Sequence, residues 1–146
     1  MIRLFKSGDE KAIAALESEC FSEPWSENAI TQSATSGTVF AVFEKDEKIV
    51  GYAGLQTILD EGYITNIAVT SAYRRCGIGA SLVEHLKSIA YSENLSFISL
   101  EVRQSNSAAQ ALYRKHGFSE CGIRKNFYTR PTENALIMTF YCKEKD

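Results

Sequence analysis

Apolar and polar residues alternate with a period of two over three runs in the first half of the chain, which is typical of strands with one buried face. Two stretches before these runs space their apolar residues three or four apart, as helices do. A charged turn, Lys45-Asp46-Glu47, predicts a hairpin between the first two runs. The predicted elements are a strand at 2–5, a helix that carries Ile13, Leu16, Glu17 and Cys20, a helix from the N-cap Ser26 to Gly37, and strands at 39–44, 48–57 and 61–69.

A helical period of 3.6 begins at Gly77 and dominates the start of the second half of the chain. The apolar stripe of this predicted helix is Ile78, Leu82, Val83, Leu86, Ile89 and Ala90. The later predicted elements are a strand at 97–103, a helix at 107–116 capped by Asn106 or Ser105, and strands at 118–124 and 135–142 joined by the polar loop 126–134. Because strands precede both late helices, βαβ-type connections should join a sheet that begins with hairpins.

These elements predict an α/β (α+β) fold in a single domain spanning residues 1–146. We expect a central mixed, mostly antiparallel sheet of six or seven strands, flanked by about four helices.

Strict alternation assigns the side chains of two strands to opposite faces. In the strand 61–69 it predicts two sets of neighbours, Ile64, Asn66 and Ala68 on one face and Tyr63, Thr65, Ile67 and Val69 on the other. In the strand 97–103, Glu101 shares a face with Ser99 and Arg103, opposite the apolar side chains at 98, 100 and 102. We therefore expect the Glu101 carboxylate to reach a cleft without burial in the core.

The composition is that of a soluble globular domain, with 146 residues of which 45% are hydrophobic and 23% charged. A net charge of −2 argues against general nucleic-acid binding, although a local positive patch could form from Arg74, Arg75, Arg103, Arg124 and Lys125. No apolar run approaches the roughly 20 residues that span a bilayer, and the start lacks a signal-peptide core, so we expect a cytoplasmic protein without membrane contact. The sequence leaves the oligomeric state open, and we favour a monomer. The widely spaced cysteines indicate free thiols, with no metal site.

The stretch Arg74-Arg75-Cys76-Gly77-Ile78-Gly79-Ala80 stands between a predicted strand and a predicted helix. Two glycines let the backbone approach an anion closely, and the N–H groups and dipole of a helix start favour negative charge. A Rossmann fingerprint would need three glycines near the start of a βαβ unit, and a P-loop would need Gly-Lys before Ser or Thr. A tight turn alone could explain the glycines, but the two arginines favour a pyrophosphate site.

Three further segments follow in a fixed order around this loop. Asn66-Ile67-Ala68-Val69 precedes it, and LEVRQSN at 100–106 and ALYRKHGF at 111–118 come after its helix. Together they resemble the GNAT family of N-acetyltransferases over essentially the whole chain. Pro24-Trp25-Ser26 and RKNFY at 124–128 narrow the resemblance to the RimI-type ribosomal-protein alanine N-acetyltransferases.

The resemblance implies an enzyme that transfers acetyl from acetyl-CoA to the N-terminal alanine of small-subunit ribosomal protein S18, without a metal. It implies that Glu101 is the general base and Tyr113 the general acid. It places Asn106 and the loop 74–80 against the cofactor, with the loop on the pyrophosphate. The backbone segment that would hold the pantetheine arm as a pseudo-strand is Ile67, Ala68 and Val69.

The chemistry of acyl transfer explains why such residues are needed. An attacking amine must be neutral, and an N-terminal amine is roughly 10% neutral at pH 7, whereas a lysine is neutral in well under about 0.1% of molecules. A carboxylate such as Glu101 could therefore suffice for an α-amine, directly or through water. Tyr113 follows Asn106 by seven residues, two helical turns, so both should share one helix face. A tyrosine near pKa 10 that donates to a thiolate near 8.5 works uphill by about 2 kcal/mol.

Three residues near the predicted site allow a second interpretation. Trp25 could staple the first helices to the sheet, or it could line the groove that takes the acceptor. Tyr128 is equally ambiguous from its position, and the resemblance implies a peptide-side wall, so we predict that both bind the substrate. We interpret Cys76, inside the loop, as a spectator thiol.

The catalytic residues have plainer explanations as well. Glu101 could be an ordinary carboxylate paired with Arg103 or Arg74, and Tyr113 an ordinary core or rim aromatic. Three functions therefore stay open. We favour α-amine acetylation over lysine or small-amine acetylation and over a CoA-binding module without chemistry.

Overall fold

A seven-stranded sheet runs through the protein in a computed structural model that describes residues 1–143. The strands, in the order β1-β2-β3-β4-β5-β7-β6 across the sheet, are β1 (Ile2–Leu4), β2 (Val39–Lys45), β3 (Lys48–Ile58), β4 (Glu61–Val69), β5 (Phe97–Arg103), β6 (Ser119–Tyr128) and β7 (Glu133–Tyr141). The helices are α1 (Glu10–Cys20), α2 (Glu27–Thr35), α3 (Ile78–Ser92) and α4 (Ser107–Lys115), with a 3₁₀ turn at Ser71–Tyr73. Residues 144–146 of the predicted domain lie outside the described residues.

Strand direction confirms the predicted mixed, mostly antiparallel sheet. Among the strands of residues 1–143, β4 and β5 form the parallel pair, and every other neighbouring pair is antiparallel. The β4–β5 register runs only from Glu61 opposite Phe97 to Tyr63 opposite Ser99. Both strands continue past this point, so their second halves diverge and open a gap at one edge of the pair.

Helices cover both faces of the sheet. On one face, α3 and α4 pack over the larger apolar cluster, which includes Leu82, Leu86, Ile98, Leu100, Phe118 and Met138. On the other, α1 and α2 pack over a cluster of Ile13, Leu16, Ile30, Phe40, Val42, Tyr52 and Ala68. The predicted α3 stripe is confirmed, because five of its six side chains are buried and Ile89 is partly buried against them. None of the helices in the described residues is long and apolar enough to cross a membrane.

The predicted faces of β4 are confirmed for Ile67 and Val69, which share one side, but the grouping of Ile64 with Ala68 is wrong because the strand contains a β-bulge. Leu55 of β3 lies opposite Ile64, but Ala53 lies opposite Ile67, so β4 carries one more residue than β3 over this stretch. Beyond the bulge the alternation is shifted. Ile64 therefore packs in the same cluster as Ile67 and Val69, while Ala68 lies in the cluster beneath α1.

A glycine makes room for this bulge. A Cβ on Gly54, which lies between the two register positions on β3, would stand 2.3 Å from Thr65 Oγ1 and 2.8 Å from the Phe40 ring. No residue with a side chain fits there without a shift of its neighbours. The bulge and its glycine therefore belong together.

Two helices begin with side-chain caps. The Ser26 hydroxyl accepts from the Ala29 N–H at 3.1 Å, which confirms Ser26 as the N-cap of α2. Of the two predicted caps for α4, Asn106 is the one that acts, because its Oδ1 accepts from the Ala109 N–H at 3.1 Å. The start of α4 is thereby fixed at the end of β5.

The polar loop predicted at 126–134 is wrong in extent. β6 continues to Tyr128 and β7 begins at Glu133, so only the four residues between them connect the strands. Asn126 takes a positive φ of 53°, at an irregular step in the β6–β7 register, and donates its N–H to Asn134 Oδ1. The polar residues that suggested a loop are thus accommodated by an irregular strand, which places Tyr128 firmly on the sheet.

Candidate active site

A cleft of about 640 Å³ opens where β4 and β5 diverge. It is walled by the α1–α2 segment, by β4, β5 and the start of α4, and by the β6–β7 end of the sheet. The predicted site residues that it brings together are Trp25, Ile67, Glu101, Asn106, Tyr113 and Tyr128. These residues come from distant parts of the chain, so the divergence of two strands gathers the predicted catalytic pair and the predicted substrate wall into one space.

Glu101 lies on the cleft side of β5, as its predicted face requires. The alternate residues Ile98, Leu100 and Val102 are buried in the larger apolar cluster, whereas Glu101 keeps 35% of its side chain exposed. Its ionic partner is Arg124, at 3.5 Å from Nε to Oε1, and not Arg103 or Arg74. An ion pair this long and this exposed is weak, so Arg124 leaves the Glu101 carboxylate accessible from the cleft.

Tyr113 is a buried residue that lines the cleft. Only 8% of the residue is exposed, and its ring lies 5.7 Å from the Phe118 ring. Burial raises the pKa of Tyr113 to about 12, with a smaller contribution from Tyr128. Its pKa thus lies about 3.5 above that of a free thiol, and full proton transfer to a thiolate would cost about 5 kcal/mol. The environment favours a protonated tyrosine that donates a hydrogen bond.

Asn106 and Tyr113 line the same cleft, but Asn106 is the N-cap of α4 and so lies outside the helix to which their seven-residue spacing was applied. Asn106 precedes the first turn of α4, with φ of −84° and ψ of 75°, and its side chain is turned to the Ala109 N–H. Helical periodicity does not apply to a cap residue. What brings Asn106 to the cleft is the end of β5, not the phase of the helix.

The backbone of β4 beyond the bulge faces the gap on alternate residues. The Thr70 N–H donates to the Val50 carbonyl on β3, at 2.9 Å. Since successive N–H groups of a strand point to opposite sides, those of Val69 and Ile67 point away from β3 and towards the gap. Ala68 instead turns its N–H towards β3 and its side chain into the cluster beneath α1. Two of the three predicted backbone groups therefore face the gap.

The predicted anion loop lies past the end of β4, outside the residues that line the cleft. Gly77 caps α3 in the left-handed region with φ of 79°, and Arg75 also has a positive φ, of 66°. The segment 74–77 is exposed, Gly79 and Ala80 are half-buried, and the Ile78 side chain is buried in the core. Ile78 can thus meet a ligand through its backbone but not through its side chain, at the N-terminus of the 15-residue helix α3.

Arg74 is less free than the sequence suggests. Its Nε donates to the Val69 carbonyl at 3.1 Å, and its Nη2 lies 3.4 Å from Cys20 Sγ on α1. The guanidinium therefore braces the end of β4 against α1. Arg75 is the loop cation whose side chain makes no hydrogen bond or ion pair within residues 1–143. The thiol of Cys76 is exposed and lies 3.7 Å from the Arg74 carbonyl.

Arg103 holds the outer wall of the cleft, a role that the sequence analysis missed. Nη1 donates to the Pro131 carbonyl at 3.0 Å and Nη2 to the Thr129 carbonyl at 2.9 Å, both in the β6–β7 connection. The same guanidinium contacts Ser22 Oγ at 3.2 Å and stacks 4.5 Å from the centre of the Tyr128 ring. One side chain thus joins both walls. A strand-end arginine gives no hint of such distant partners.

Tyr128 and Trp25 sit on these two walls. Burial, followed by the charge of Glu101, raises the pKa of Tyr128 to about 12, so its phenol remains protonated. Trp25 is half-buried beside the cluster under α1 and also lines the cleft. Both interpretations of Trp25 are therefore compatible with its position. Across residues 1–143, no three His, Cys, Asp or Glu side chains converge as metal ligands would.

Comparison with known protein families identifies the class of protein to which this fold and cleft belong. Residues 10–118 match the model of the family described as Acetyltransferase (GNAT) family. The chain belongs to this family, whose members use acetyl-CoA, and it is an acetyl-CoA-dependent N-acetyltransferase.

Relatives of this chain narrow the class. The [ribosomal protein bS18]-alanine N-acetyltransferase of Escherichia coli strain K12 is 37% identical over 141 residues, which cover 94% of each chain. That of Haemophilus influenzae is 33% identical over 144 residues, covering 97% of this chain and 98% of the relative. The crystal structure of the ribosomal-protein-S18-alanine N-acetyltransferase from E. coli superposes with a TM-score of 0.91 at 33% identity and covers 100% of this chain and 96% of the other.

A prediction follows for the outer wall. We expect Arg103→Lys, which keeps the charge but loses the planar fork, to loosen the β6–β7 connection and to speed tryptic cleavage after Lys125 by about tenfold. Cleavage rates can be read by mass spectrometry of timed digests. Arg114→Lys is the matched control, since among residues 1–143 the side chain of Arg114 pairs only with Glu120, at 3.7 Å on the exposed surface. Equal cleavage rates for the two variants would show that Arg103 does not hold the wall.

Proposed function

We propose that the protein transfers acetyl from acetyl-CoA to the α-amine of an N-terminal alanine, that of small-subunit ribosomal protein S18, in the cytoplasm. The observation that carries the proposal is the identity of 33–37% with relatives named for this acceptor, along 94–97% of the chain. The exposed carboxylate of Glu101 supports it further, because an α-amine needs only a modest base.

The cofactor side of the proposal rests on β4 and the loop after it. The inward N–H groups of Ile67 and Val69 suit a pantetheine arm, and Ala68 between them spaces these donors along the strand. The loop backbone at Gly77, which is exposed, and at Gly79, which is half-buried, suits a pyrophosphate at the start of α3, together with the cation of Arg75. Asn106 would contact the cofactor from the start of α4.

The loop residues have different parts in this proposal. Arg75, Cys76, Gly77, Ile78, Gly79 and Ala80 would offer backbone N–H groups to the phosphates. Arg74 would support the cofactor site indirectly, because its guanidinium donates to the Val69 carbonyl and thereby holds the end of β4 in place. The buried Ile78 side chain anchors the loop in the core.

On the acceptor side, Glu101 would take the proton that the amine gives up as its nitrogen bonds to the acetyl carbon. The bond between that carbon and the sulfur breaks in the same reaction. The Tyr113 hydroxyl would donate a hydrogen bond to the departing sulfur. Because its pKa is high, this bond would stabilise the thiolate without full proton transfer, unless a second donor returns a proton to the tyrosine in the same step. Trp25 and Tyr128 would form the walls that hold the acceptor peptide.

The acceptor is tested by mass spectrometry after incubation with acetyl-CoA. The substrates are a peptide with the S18 N-terminus, the same peptide with its α-amine blocked, and a blocked peptide that carries one lysine. We expect a gain of one acetyl group on the free alanine peptide alone. Modification of the lysine alone would assign the protein to lysine acetylation, and no thiol release with any amine would favour a binding module.

Glu101→Gln should lower kcat at pH 7 by about 10- to 100-fold, because the side chain can no longer accept a proton. The deficit should shrink as the pH rises past the pKa of the amine, near 8, so the pH optimum moves upward. Rates are measured by thiol release between pH 6 and 9.5. Glu120→Gln, an exposed carboxylate on β6, is the control. A variant with normal turnover and an unchanged pH profile would contradict the base assignment.

Tyr113→Phe should lower kcat by about 10-fold or more and leave the Kd for acetyl-CoA within about two-fold, since the phenol acts on the leaving sulfur and not on the cofactor body. Calorimetry gives the affinity and thiol release gives the rate. Tyr91→Phe serves as control, because Tyr91 is exposed on α3 away from the cleft. A large loss of affinity with unchanged kcat would show that Tyr113 binds the cofactor instead.

A further inference from the structure

A second carboxylate, that of Glu17, lies at the back of the cleft, and the proposed chemistry does not use it. Glu17 is 1% exposed on the inner face of α1, between the apolar side chains of Ile13 and Leu16 and the base of the cleft. In residues 1–143 no Lys, Arg or His pairs with it. Burial raises its pKa, and hydrogen bonds from Tyr52 and Trp25 counteract this effect.

Three donors from three different elements converge on this carboxylate. The Tyr52 hydroxyl of β3 donates to Oε2 at 2.6 Å, and the backbone N–H of Trp25 donates to Oε1 at 3.0 Å. The Asn66 side-chain amide, at the β4 bulge, lies 3.3 Å from Oε1 and 3.2 Å from Oε2. All three groups donate here, and the two carboxylate oxygens of Glu17 accept from all of them.

These partners belong to opposite sides of the cleft. Trp25 stands on the segment between α1 and α2, which forms the acceptor wall, while Asn66 stands on the bulged strand whose next residue, Ile67, faces the gap. The backbone of the acceptor wall is therefore tied to the bulge through one side chain. An apolar residue at this helix position would fill the same space but could hold neither partner in place.

We propose that Glu17 is a positioning residue that fixes the acceptor wall at Trp25 relative to the bulge in β4, and thereby aligns the incoming amine with the acetyl group. The inference rests on the proposed function for the identity of the amine. The contacts of Glu17 with Trp25 and Asn66 do not depend on that function. Glu17 acts through Trp25 and Asn66 and not on the reacting atoms.

The chain offers a direct probe of this wall, because Trp25 is its one tryptophan. Glu17→Gln keeps the shape but replaces one acceptor oxygen with an NH₂ donor, so either the Trp25 backbone N–H or the Tyr52 hydroxyl loses the oxygen that accepts from it. We expect the Trp25 emission to move to longer wavelength and its quenching by acrylamide to increase. We also expect the KM for the acceptor peptide to rise about tenfold while the Kd for acetyl-CoA stays within about two-fold.

Glu10→Gln, the same change in the first turn of the same helix, is the matched control, since Glu10 bonds only the Gly8 N–H in this part of the chain. If Glu17→Gln does not fold, Tyr52→Phe removes one donor and keeps the ring, and the proposal requires both readouts to move in the same directions. Emission and acceptor KM that match the wild type in a folded variant would overturn it, as would a lower melting temperature with neither readout changed.

The two proposals can fail separately. Fluorescence is recorded without substrates, and KM is measured with whichever amine the acceptor experiment identifies. If Glu17→Gln shifts the Trp25 emission as expected but the wild type leaves the alanine peptide unmodified, the result would count against the proposed acceptor alone. An acetylated alanine peptide whose KM ignores Glu17→Gln would count against Glu17 alone.

Discussion

The early end of the pairing between β4 and β5 is the constraint on which the site depends. A parallel pair normally continues its hydrogen bonds along both strands, and here the register stops after Tyr63 meets Ser99. Backbone groups that would be orphaned in a closed core are acceptable at this gap, because solvent or a ligand can reach them. The bulge at Thr65 and Asn66 strengthens the divergence, since an extra residue bends the strand that carries it.

Three ionisable groups in this gap differ in their access to water, and this difference separates their roles. Glu101 is open to solvent, Tyr113 is almost enclosed, and Glu17 is fully enclosed. An exposed carboxylate can exchange protons quickly, whereas a buried phenol keeps its proton and a buried carboxylate is committed to its donors.

Features set by neighbouring residues were predictable from the sequence, and features set by distant ones were not. The α3 stripe and the faces of β5 depend on local periodicity, and the Ser26 cap depends on a hydrogen bond from an N–H three residues along the chain; all are confirmed. The bulge depends on a fit between Gly54 and β4 across a hairpin, so alternation alone assigned Ile64 to the wrong face. The wall formed by Arg103 and Ser22 joins residues 81 positions apart, beyond any local pattern.

The two faces of β5 couple the assembly of the site to the stability of the fold. Glu101 lies opposite Ile137 of β7, and its neighbours Leu100 and Val102 belong to the core. A slip of β5 by one residue would turn the carboxylate into the apolar cluster and two branched side chains out of it. Such a molecule would be unstable and open to degradation. Quality control that removes unfolded chains would therefore also remove molecules with a misplaced Glu101, and the folded molecules that remain carry this residue on the cleft side of β5.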